Sequence, residues 1–586
     1  MKSSKQIIRR DVSLDASDFD AKLPPILQRV YAARGVHSHH PLDYSLAKLH
    51  PYATLSGIDE AVHLLEQALV AQQRILIVAD FDADGATSCV VAMRALRLMG
   101  AEKVSYLVPN RFEYGYGLTP EIVALAGLQS PDLMVTVDNG ISSIDGVKAA
   151  KAAGIKVLVT DHHLPGAELP HADAIVNPNQ PGDQFPGKNL AGVGVIFYVM
   201  LALRAHLRAS GWFKQKGIDE PNLATLLDIV ALGTVADVVP LDHNNRILVS
   251  QGLSRIRSGA CCAGVSALLH VAKRHPANLV ASDLGFSIGP RLNAAGRLED
   301  MSLGIECLLA DDSDAAMLLA ERLDELNRER REIEGEMQAQ ALKCLTNIKL
   351  DIEDTEASVG LCLFDKSWHQ GVIGIVASRI KERYHRPVVA FALAGGDLES
   401  DDAEIKGSAR SIKGVHMRDL LDTIAARHPT LLSKFGGHAM AAGMTIRAAD
   451  LGAFEVAFNE ALRRCVDKEI LQDVIQSDGE LNSDEFSLEL AEAVRAAGPW
   501  GQAFPEPLFD GLFDVVQQRI VGEKHLKLVL QPAGSRNMID AIAFNHGEVT
   551  SDRLHAAYRL DVNEYRGQRT LQLVVEYIEP CRELSG

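Results

Sequence analysis

The sequence has no apolar run long enough to cross a membrane. Its longest, residues 191–203, ends before Arg204 after 13 residues, whereas a membrane-spanning helix needs about 20. The amino terminus, MKSSKQIIRRD, carries basic residues without the apolar stretch and small-residue cleavage site of a secretory signal. These absences predict a folded cytoplasmic protein without a transmembrane segment.

Cysteine pairs and an excess of positive charge are also missing. The eight cysteines include no CxxC pair and no metal-finger spacing, so we expect reduced core residues. Lys and Arg number 59 against 77 Asp and Glu, a net charge of -18. This balance argues against a protein that coats nucleic acid by bulk charge. A polyanionic substrate would have to be held by local positive patches or by metal ions.

The remaining composition is that of an ordinary globular protein with several domains. Hydrophobic residues make up 47% and charged residues 23% of the 586 residues, and this length predicts roughly three to five domains. From residue 74 to 236, short apolar runs alternate with helical patterns, which indicates βα units and a parallel sheet. The predicted strands are 75–79, 104–108, 133–137, 156–160 and 174–176. The predicted helices are 87–99, 120–126, 143–153, 191–207 and 223–232.

Three further regions follow along the chain. Residues 311–349 contain no Pro and one Gly, and their apolar spacing predicts one long helix between two domains. Two ordinary helices broken at Gly335 are equally compatible with this pattern. A second α/β block follows, with strands predicted at 359–364 and 388–391 and a helix at 372–384. Alternating β-prone runs within 509–580 predict a small all-β module, with a barrel as one form of it.

Acidic and imidazole side chains follow three of the predicted parallel strands. They are Asp80, Asp82, Asp84, Asp138, Asp161, His162 and His163. Because ligands bind beyond the carboxyl ends of parallel strands, these loops should converge on one crevice. Clustered carboxylates repel unless cations neutralise them, and an oxygen-rich set with imidazole suits Mn²⁺ or Mg²⁺. Two such ions would activate water for attack on a phosphoester.

Each of these features also has an ordinary structural explanation. A single Asp at a strand end most often caps a helix or forms a turn, so it is the coincidence of three loops that favours a metal site. DxDG resembles the start of a calcium loop, but no Glu stands at the twelfth position. The run AGVGV lacks the third Gly of a GxGxxG nucleotide fingerprint, and a tight helix entry explains it better.

Several segments together resemble the DHH phosphoesterase superfamily. VADFDADG, TVDNG and VTDHH are similar to its catalytic motifs, and FGGHAMAAG resembles its companion DHHA1 domain. Five other segments more specifically resemble the RecJ family of single-strand-specific exonucleases: PNRFEYGYG, GTVADVVPL, GPRLNAAGR, WHQGVIGIVASR and GPWGQAFPEP. The resemblance runs in the expected order from about residue 74 to the carboxyl terminus.

The resemblance implies an α/β fold with a parallel-sheet DHH domain, joined by a long helix to a smaller α/β DHHA1 domain and followed by a C-terminal all-β OB-like barrel. It places an N-terminal extension, packed on the core, ahead of these domains. The implied boundaries are 1–73 for the extension, 74–310 for the DHH domain, 311–349 for the connecting helix, 350–465 for the DHHA1 domain and 466–586 for the single-strand-binding barrel.

Position by position, the resemblance implies a centre with two Mn²⁺ or Mg²⁺ ions. The implied ligands are Asp82, Asp84, Asp138, His162 and Asp237, and Asp138 would be the bridge. Asp80 would bind metal or orient water, His163 would contact the scissile phosphate, and Asp161 would orient an imidazole. Phe81 stands where many relatives carry Tyr, which keeps the ring and leaves the metal site undisturbed.

A 5′-phosphate site is implied in the same way. Residues 405–418 carry four basic side chains and no acid, a patch that can bind phosphate. Arg291, Ser408 and Arg410 occupy the positions that hold a 5′ phosphate in the family, and a guanidinium binds phosphate bidentately, as lysine cannot.

Three other residues are candidate contacts to the strand. Arg111 would pair a phosphate, and Tyr114, in a run of aromatic residues, would stack on a base. His438 would lie at the substrate. A core or turn role explains the aromatic ring equally well, and a buried, hydrogen-bonded position explains the histidine nearly as well.

The function implied by the resemblance is degradation of single-stranded DNA from its 5′ end to mononucleotides, in repair and recombination. One alternative is a DHH phosphodiesterase for short oligonucleotides or small phosphate compounds, although such relatives are shorter and lack the barrel. Another is a scaffold without catalysis, which the intact acidic motifs disfavour. A single-strand-binding protein and a helicase are the partners that the family suggests.

Overall fold

The computed structural model describes residues 5–12, 19, 23–109, 117–347, 359–394, 403–437, 440–466, 470–522, 524–565 and 567–580. The chain divides into two compact units, each built from two separate stretches of sequence. One comprises Met1–Arg10 and Arg331–Ser477, and the other comprises Asp11–Arg330 and Asp478–Gly586.

The strands and helices are labelled in chain order. The strands are β1 (Gln6–Arg9), β2 (Ile75–Ala79), β3 (Val104–Leu107), β4 (Leu133–Val137), β5 (Lys156–Thr160), β6 (Ala174–Val176), β7 (Leu361–Phe364), β8 (Val388–Leu393), β9 (Glu404–Arg410), β10 (Lys434–Gly437), β11 (Ala441–Arg447), β12 (Val474–Ser477), β13 (Phe509–Val521), β14 (His525–Pro532), β15 (Ile539–Ala543), β16 (Arg553–Tyr565) and β17 (Gln568–Pro580). The α-helices are α1 (Pro25–Ala32), α2 (Ile58–Val70), α3 (Ala83–Leu98), α4 (Pro120–Gly127), α5 (Ile144–Ala152), α6 (Gly192–Ala209), α7 (Trp212–Lys216), α8 (Leu227–Ala236), α9 (His243–Arg257), α10 (Ala263–Val271), α11 (Gly289–Leu298), α12 (Ser302–Leu309), α13 (Ser313–Asn347), α14 (Ile373–Tyr384), α15 (Met417–Arg427), α16 (Leu451–Cys465) and α17 (Leu488–Ala496). A single helical turn, Ala281–Asp283, leads into a π-helical segment, Leu284–Ile288.

Strands β2 to β6 form the predicted parallel sheet, in the order β3-β2-β4-β5-β6. β2 and β4 are buried throughout, as strands covered on both faces by helices are. The strand order reverses between β2 and β4, and ligands bind beyond the carboxyl ends of the strands at such a switch point. All five strands predicted for this sheet are confirmed, and the second ends at Leu107.

The helices around this sheet differ from the predicted ones mainly at their ends. α3 begins at Ala83 rather than at residue 87, because Asp82 caps it. The helix predicted at 223–232 is a 3₁₀ turn, Leu223–Leu226, followed by α8. By length and composition α6 could span a membrane, but 67% of its apolar window is buried inside the protein, as in a core helix.

Strands β7 to β11 form a mixed sheet in the other unit, in the order β10-β11-β9-β8-β7. β7 and β8 are parallel, and the remaining neighbours are antiparallel. The sequence predicts β7, β8 and α14 but not β9 to β11, whose glycines and charges weaken the strand signal. β1 pairs in parallel with β12 within this unit.

Helix α13 is continuous over 35 residues, about 50 Å at 1.5 Å per residue. It passes through Gly335, so the alternative of two helices broken there is wrong. A Cβ on this glycine would meet nothing within 4 Å, and an exposed glycine costs a helix only about 1 kcal/mol.

The carboxyl-terminal strands close into a barrel in the order β13-β14-β15-β17-β16. β15 and β17 are parallel, and the other neighbours are antiparallel. Buried residues alternate with half-buried ones along β14, which is the pattern of a strand with one face on the barrel core. The predicted fold class is thus confirmed, whereas the residue boundaries of the five domains stay a prediction.

Candidate metal centre

The acidic loop after β2 is held in shape by backbone contacts. Asp82 Oδ1 accepts a hydrogen bond from the Gly85 amide at 3.0 Å, which caps α3. Gly85 is required, because a Cβ there would lie 2.4 Å from the carbonyl oxygen of Asp80. Asn293 Oδ1, from α11, accepts a hydrogen bond from the Ala83 amide at 2.8 Å. The loop therefore presents its three carboxylates from one short, braced turn.

Asp138 follows β4 in the left-handed backbone region, with a φ of 62°, which Asp tolerates better than most residues. The side-chain amide of Asn139 donates to the carbonyls of Val78, at 3.1 Å, and Val137, at 2.9 Å, and so ties the ends of β2 and β4 together. A Cβ on Gly192, at the start of α6, would lie 2.7 Å from Asp138 Cβ. The end of β4 and the start of α6 therefore fix the position of the buried Asp138 carboxylate.

Three helices converge on Asp84. Its carboxylate oxygens accept hydrogen bonds from the first two amides of α6, Gly192 at 2.6 Å and Val193 at 2.9 Å. α8 approaches through Gly233, where a Cβ would lie 2.1 Å from Thr87 Oγ1 and 3.1 Å from Asp84 Oδ1. Gly192 in α6 and Gly233 in α8 therefore allow these two helices to pack closely against Asp84.

Asp161 anchors the two histidines that follow it. Its Oδ1 lies 2.8 Å from Nδ1 of His163 and accepts the His162 amide at 2.7 Å, while its Oδ2 accepts the Ile141 amide at 2.9 Å. Burial alone would raise the pKa of Asp161, but the hydrogen bond from His163 lowers it. Burial would also lower the pKa of His163, and the same bond raises it. An ionised carboxylate therefore holds the His163 ring by its Nδ1 edge.

His162 points its Nε2 at three carboxylates. The distances are 3.1 Å to Asp138 Oδ1, 3.6 Å to Asp237 Oδ2 and 3.9 Å to Asp84 Oδ2. Asp237 reaches the centre because it directly follows α8. Its Oδ2 is buried and accepts no hydrogen bond from the described part of the chain. A buried carboxylate oxygen of this kind needs a cation or a proton.

Burial and mutual repulsion raise the pKa of four carboxyls in the centre. Burial, and after it the neighbouring Asp82, raise the pKa of Asp80 and that of Asp237 to about 7. Burial and the adjacent carboxylates also hold the pKa of Asp84 and that of Asp138 well above the ordinary range. The fold therefore carries an electrostatic cost here that divalent cations would remove.

The donor atoms meet the requirements of a metal centre. They form three overlapping groups, and within each group the ligand atoms lie within 4.8 Å of one another. The groups are Asp80, Asp82 and Asp138; Asp138, His162 and His163; and Asp84, His162 and Asp237. Carboxylate oxygens with imidazole suit Mn²⁺ or Mg²⁺. The structure thus brings together all eight acids and histidines that the sequence and the resemblance indicate.

Arg291, expected at the 5′ phosphate, makes an ion pair with α13. Its Nε and Nη2 lie 2.9 Å and 2.7 Å from Asp324 Oδ1, and its Nη1 donates to the carbonyl of Ser287. Asp324 also pairs with Arg328. The Arg291 guanidinium is thereby held in a buried network at the start of α11.

Ser408 and Arg410 lie side by side on β9, facing the first turn of α14. Arg410 Nη1 donates to Ser408 Oγ at 3.0 Å and to the Ala409 carbonyl at 2.8 Å. A Cβ on Gly374 would lie 2.9 Å from Arg410 Nη2 and 3.3 Å from Ser408 Oγ. A guanidinium, a hydroxyl and a helix amino end together suit an anionic group. Arg111, Tyr114 and His438 lie outside the described residues.

Four residues position the donor side chains without being donors themselves and were not identified from the sequence. These are Asn139, Gly192, Gly233 and Asn293, and each lies in a segment that the sequence analysis quotes. An amide or a glycine acts here through a neighbour that is distant in sequence, so no periodicity or spacing marks it. The nearest signal was AGVGV, whose interpretation as a tight helix entry is confirmed by α6.

Family models match the chain in the predicted order. The DHH family N-terminal domain matches residues 74–234, the DHHA1 domain matches 357–465, and the RecJ OB domain matches 477–577. The single-stranded-DNA-specific exonuclease RecJ of Salmonella typhimurium is 52% identical over 585 residues, which is 99% of this chain and 100% of that relative. This chain belongs to the RecJ family. Its parallel sheet, mixed sheet and barrel are the DHH, DHHA1 and OB domains.

Solved RecJ structures are also similar to this one. The crystal structure of RecJ in complex with Mn²⁺ from Thermus thermophilus has a TM-score of 0.74 and 29% identity, over 96% of this chain and 77% of that chain. The corresponding Mg²⁺ complex has a TM-score of 0.69 and 28% identity, over 96% and 76% of the two chains. The Thermus thermophilus RecJ is thus known with each of the two ions that the donor set of this chain suits.

Proposed function

We propose that this chain is a metal-dependent exonuclease that degrades single-stranded DNA from its 5′ end to mononucleotides, in DNA repair and recombination. The observation that carries the proposal is the convergence of six carboxylates and two imidazoles at the switch point of the parallel sheet. Membership of the RecJ family, whose curated relatives are named for single-stranded DNA, supports the choice of substrate.

Two ions fit the arrangement of donors. Asp138 shares one donor group with Asp80 and Asp82 and another with His162 and His163, and His162 in turn belongs to the group with Asp84 and Asp237. Asp138 is therefore the carboxylate that we assign as the bridge. Ions bound there would polarise a phosphoryl oxygen and lower the pKa of a bound water.

The remaining residues of the centre position the reactants. Asp161 holds His163 by its Nδ1, and the pKa of His163 is raised. His163 would therefore donate a hydrogen bond from its other ring nitrogen, Nε2, to the scissile phosphate. Asp80, whose pKa is raised to about 7 by burial and by the neighbouring Asp82, orients the attacking water or binds metal. Proton transfer and orientation of this kind contribute about 10²- to 10⁴-fold to a rate.

The 5′ end of the strand binds at β9. Arg410 and Ser408 supply charge-assisted and neutral hydrogen bonds, and the amino end of α14, which they face, adds the partial positive charge of the helix dipole. Arg291, whose guanidinium is oriented by Asp324, is a proposed 5′-phosphate contact on the resemblance alone. Arg111, Tyr114 and His438 complete the proposed strand contacts on the resemblance alone.

The barrel binds the strand beyond the centre. A cavity of about 1350 Å³ lies between the barrel and the helices that precede it in the same unit. Its lining carries both signs of charge: Arg274, Arg495 and Arg559 are paired with the lining acids Asp283, Asp561 and Glu506, and Arg257 and Lys273 also line it. Two aromatic residues at this cavity, Phe286 and Phe544, are 81% and 55% exposed. Basic side chains beside exposed rings suit a single strand, because every base can stack on a ring.

Location and partners complete the proposal. The proposed location is the cytoplasm. An exonuclease limited to single strands needs an activity that opens the duplex, so a helicase is one proposed partner. The separated strands must also be kept from pairing again, so a single-strand-binding protein is the other. Co-purification of either with the full chain, at physiological salt and after nuclease treatment, tests this.

End-labelled oligonucleotides test the function. With Mn²⁺ or Mg²⁺, strands labelled at the 3′ end should shorten progressively from the 5′ end, and duplexes should resist. Cleavage of only very short oligomers would favour the DHH phosphodiesterase alternative, and no cleavage would favour the scaffold. Asp138→Asn should abolish cleavage and leave the circular dichroism spectrum unchanged. Near-normal turnover in that variant would refute the two-ion proposal.

A further inference from the structure

A second group of metal-type donors lies on the surface where α2 packs against α6. His63 and Glu66 are three residues apart on α2 and so share one flank of that helix, and His206 lies in the last turn of α6. Nε2 of His206 is 2.9 Å from Oε2 of Glu66, and Nδ1 of His63 is 3.7 Å from the same oxygen. One donor atom from each residue lies within 4.8 Å of the other two.

Two packed helices hold these donors in place. Ala61 and Leu65 on α2 are completely buried, as are Leu203 and Leu207 on α6, and the two helices are in contact. The imidazole rings of the two histidines meet edge to face, with centroids 5.3 Å apart. The three side chains therefore project from rigid backbone rather than from a loop.

We propose that this cluster, His63, Glu66 and His206, binds Zn²⁺. Two imidazoles and one carboxylate, with water in the fourth position, are a donor set that zinc favours. Tetrahedral bonds of about 2.0–2.1 Å place donor atoms roughly 3.3 Å apart, and the measured 2.9 Å and 3.7 Å lie on either side of this value. Small side-chain rotations would therefore complete the site.

The cluster differs from the catalytic centre in its chemistry. Nitrogen donors are the majority here, whereas carboxylate oxygens predominate at the sheet, and imidazole favours Zn²⁺ over Mg²⁺ and Mn²⁺. Side-chain exposures of 62% for His63, 28% for Glu66 and 32% for His206 leave room for water as a further ligand. Zinc would replace the direct contact between His206 Nε2 and Glu66 Oε2 and bind both imidazoles in their neutral form.

The site would clamp the two helices together. His206 lies 14 residues beyond Gly192 on α6, about 20 Å along the helix axis. Gly192 is the residue that packs against Asp138. A zinc ion bound to the cluster would therefore stabilise the carboxyl end of the helix whose amino end shapes the catalytic centre, without touching that centre.

Zinc stoichiometry tests the proposal. The untagged, full-length protein is stripped of metal, saturated with Mg²⁺ to fill the catalytic centre, dialysed against micromolar Zn²⁺ and analysed by mass spectrometry. The wild type should retain one more equivalent of zinc than the double variant His63→Ala/His206→Ala. His171→Ala, at another exposed histidine, should behave as the wild type. Equal stoichiometry in all three proteins would overturn the proposal.

A second variant guards against misfolding. Glu66→Gln keeps the size of the side chain and removes the charge, and it should weaken zinc binding roughly 10- to 100-fold, as loss of an interacting group at a metal site does. Zinc should raise the Tm of the wild type and of His171→Ala but not that of Glu66→Gln. Unchanged affinity and an unchanged zinc-induced Tm shift in Glu66→Gln would contradict the site. Nuclease activity with Mg²⁺ should be the same in all of these proteins.

Discussion

Oδ1 of Asp161 receives three hydrogen bonds from the two histidines that follow it, namely the His163 ring at 2.8 Å and the amides of His162 and His163 at 2.7 Å and 3.1 Å. One carboxylate thus fixes the backbone at His162, the proposed metal ligand, and the ring orientation of His163, the proposed phosphate contact. Its Oδ2 accepts a hydrogen bond from the backbone amide of Ile141, which lies in the loop after β4. Asp161 therefore links two of the three loops of the centre without belonging to a donor group itself.

Asp161→Asn should lower kcat about 10²- to 10⁴-fold and leave Mn²⁺ affinity nearly unchanged. The amide keeps the shape of the side chain but no longer stabilises a charged His163. Single-turnover cleavage and calorimetric Mn²⁺ titration measure the two quantities. Asp173→Asn, at another acid that accepts a backbone amide in the same sheet, is the control. An equal loss of metal affinity and rate in Asp161→Asn would mean that Asp161 acts chiefly on the ligands.

Gly192→Ala should impair the metal centre through packing alone. The added Cβ would lie 2.7 Å from Asp138 Cβ and 2.8 Å from its Oδ1, and relief of such overlap typically costs about 1–3 kcal/mol. We expect weaker Mn²⁺ binding and a loss of activity that high Mn²⁺ partly restores. Gly127→Ala, where a Cβ meets nothing within 4 Å, is the control. Wild-type Mn²⁺ affinity in Gly192→Ala would show that α6 can move away.

The acids of the centre could be predicted because strand periodicity and topology act locally. β2, β4 and β5 are short, buried runs, and a polar residue after such a run must lie at the carboxyl edge of the sheet. Asp80, Asp138 and Asp161 follow from that rule. Asp237 does not, since it follows a helix and reaches the centre only through the packing of α8; its place came from the family resemblance.

The other sheet shows where sequence patterns are insufficient. β9 carries alternating buried residues, but its Lys, Gly, Ser and Arg indicate a basic loop as readily as a strand. β10 and β11 are glycine-rich, and their pairing is set by partners distant in sequence. The ion pair between Arg291 and Asp324 likewise depends on how α11 meets α13. Such contacts require the folded chain, because neither residue signals its partner.

Metal removal should make stability depend on pH in an unusual direction. The pKa of Asp80 and that of Asp237 are about 7 in the folded chain, against 3.8 for an ordinary Asp. Between these values the folded chain binds more protons than the unfolded chain, so these two groups lower the free energy of unfolding as the pH rises. The lowered pKa of Asp161 acts oppositely, but only at more acidic pH.

Thermal unfolding with and without Mn²⁺ isolates this effect from other titrating groups. The increase in Tm caused by Mn²⁺ should grow from pH 5 to pH 8, because protons compete with the ion for the same carboxylates. In Asp138→Asn the increase should be small at every pH. A Mn²⁺-induced shift that is constant over this range would contradict the raised pKa values.

Arg410→Ala should discriminate between the two kinds of 5′ end. Loss of a charge-assisted hydrogen bond is worth roughly 1.5–3 kcal/mol, so the KM for 5′-phosphorylated strands should rise about 10- to 100-fold while that for 5′-hydroxyl strands changes little. Arg418→Ala, which removes an exposed arginine paired with Asp422, is the control from the same basic segment. Equal losses on both substrates would mean that Arg410 contacts the backbone generally.

Phe286→Ala should weaken the binding of long strands selectively. Phe286 lies in the π-helical segment Leu284–Ile288, is 81% exposed and lines the cavity beside the barrel. A Cβ on Gly285, in the same segment, would lie 3.2 Å from Val235, near the end of α8 that leads to Asp237. We propose that this exposed ring stacks on a base of a strand that extends beyond the catalytic centre.

Loss of one stacked base is worth about 1–3 kcal/mol, so kcat/KM for strands long enough to reach the cavity should fall about 5- to 150-fold in Phe286→Ala. Cleavage of di- and trinucleotides should be affected least, because the shortest strands have the fewest bases to stack beyond the centre. Leu128→Ala, with 82% exposure after α4, controls for the loss of a surface apolar group. If Phe286→Ala lowered kcat/KM equally at every length, the ring would act on the metal centre instead of on the strand.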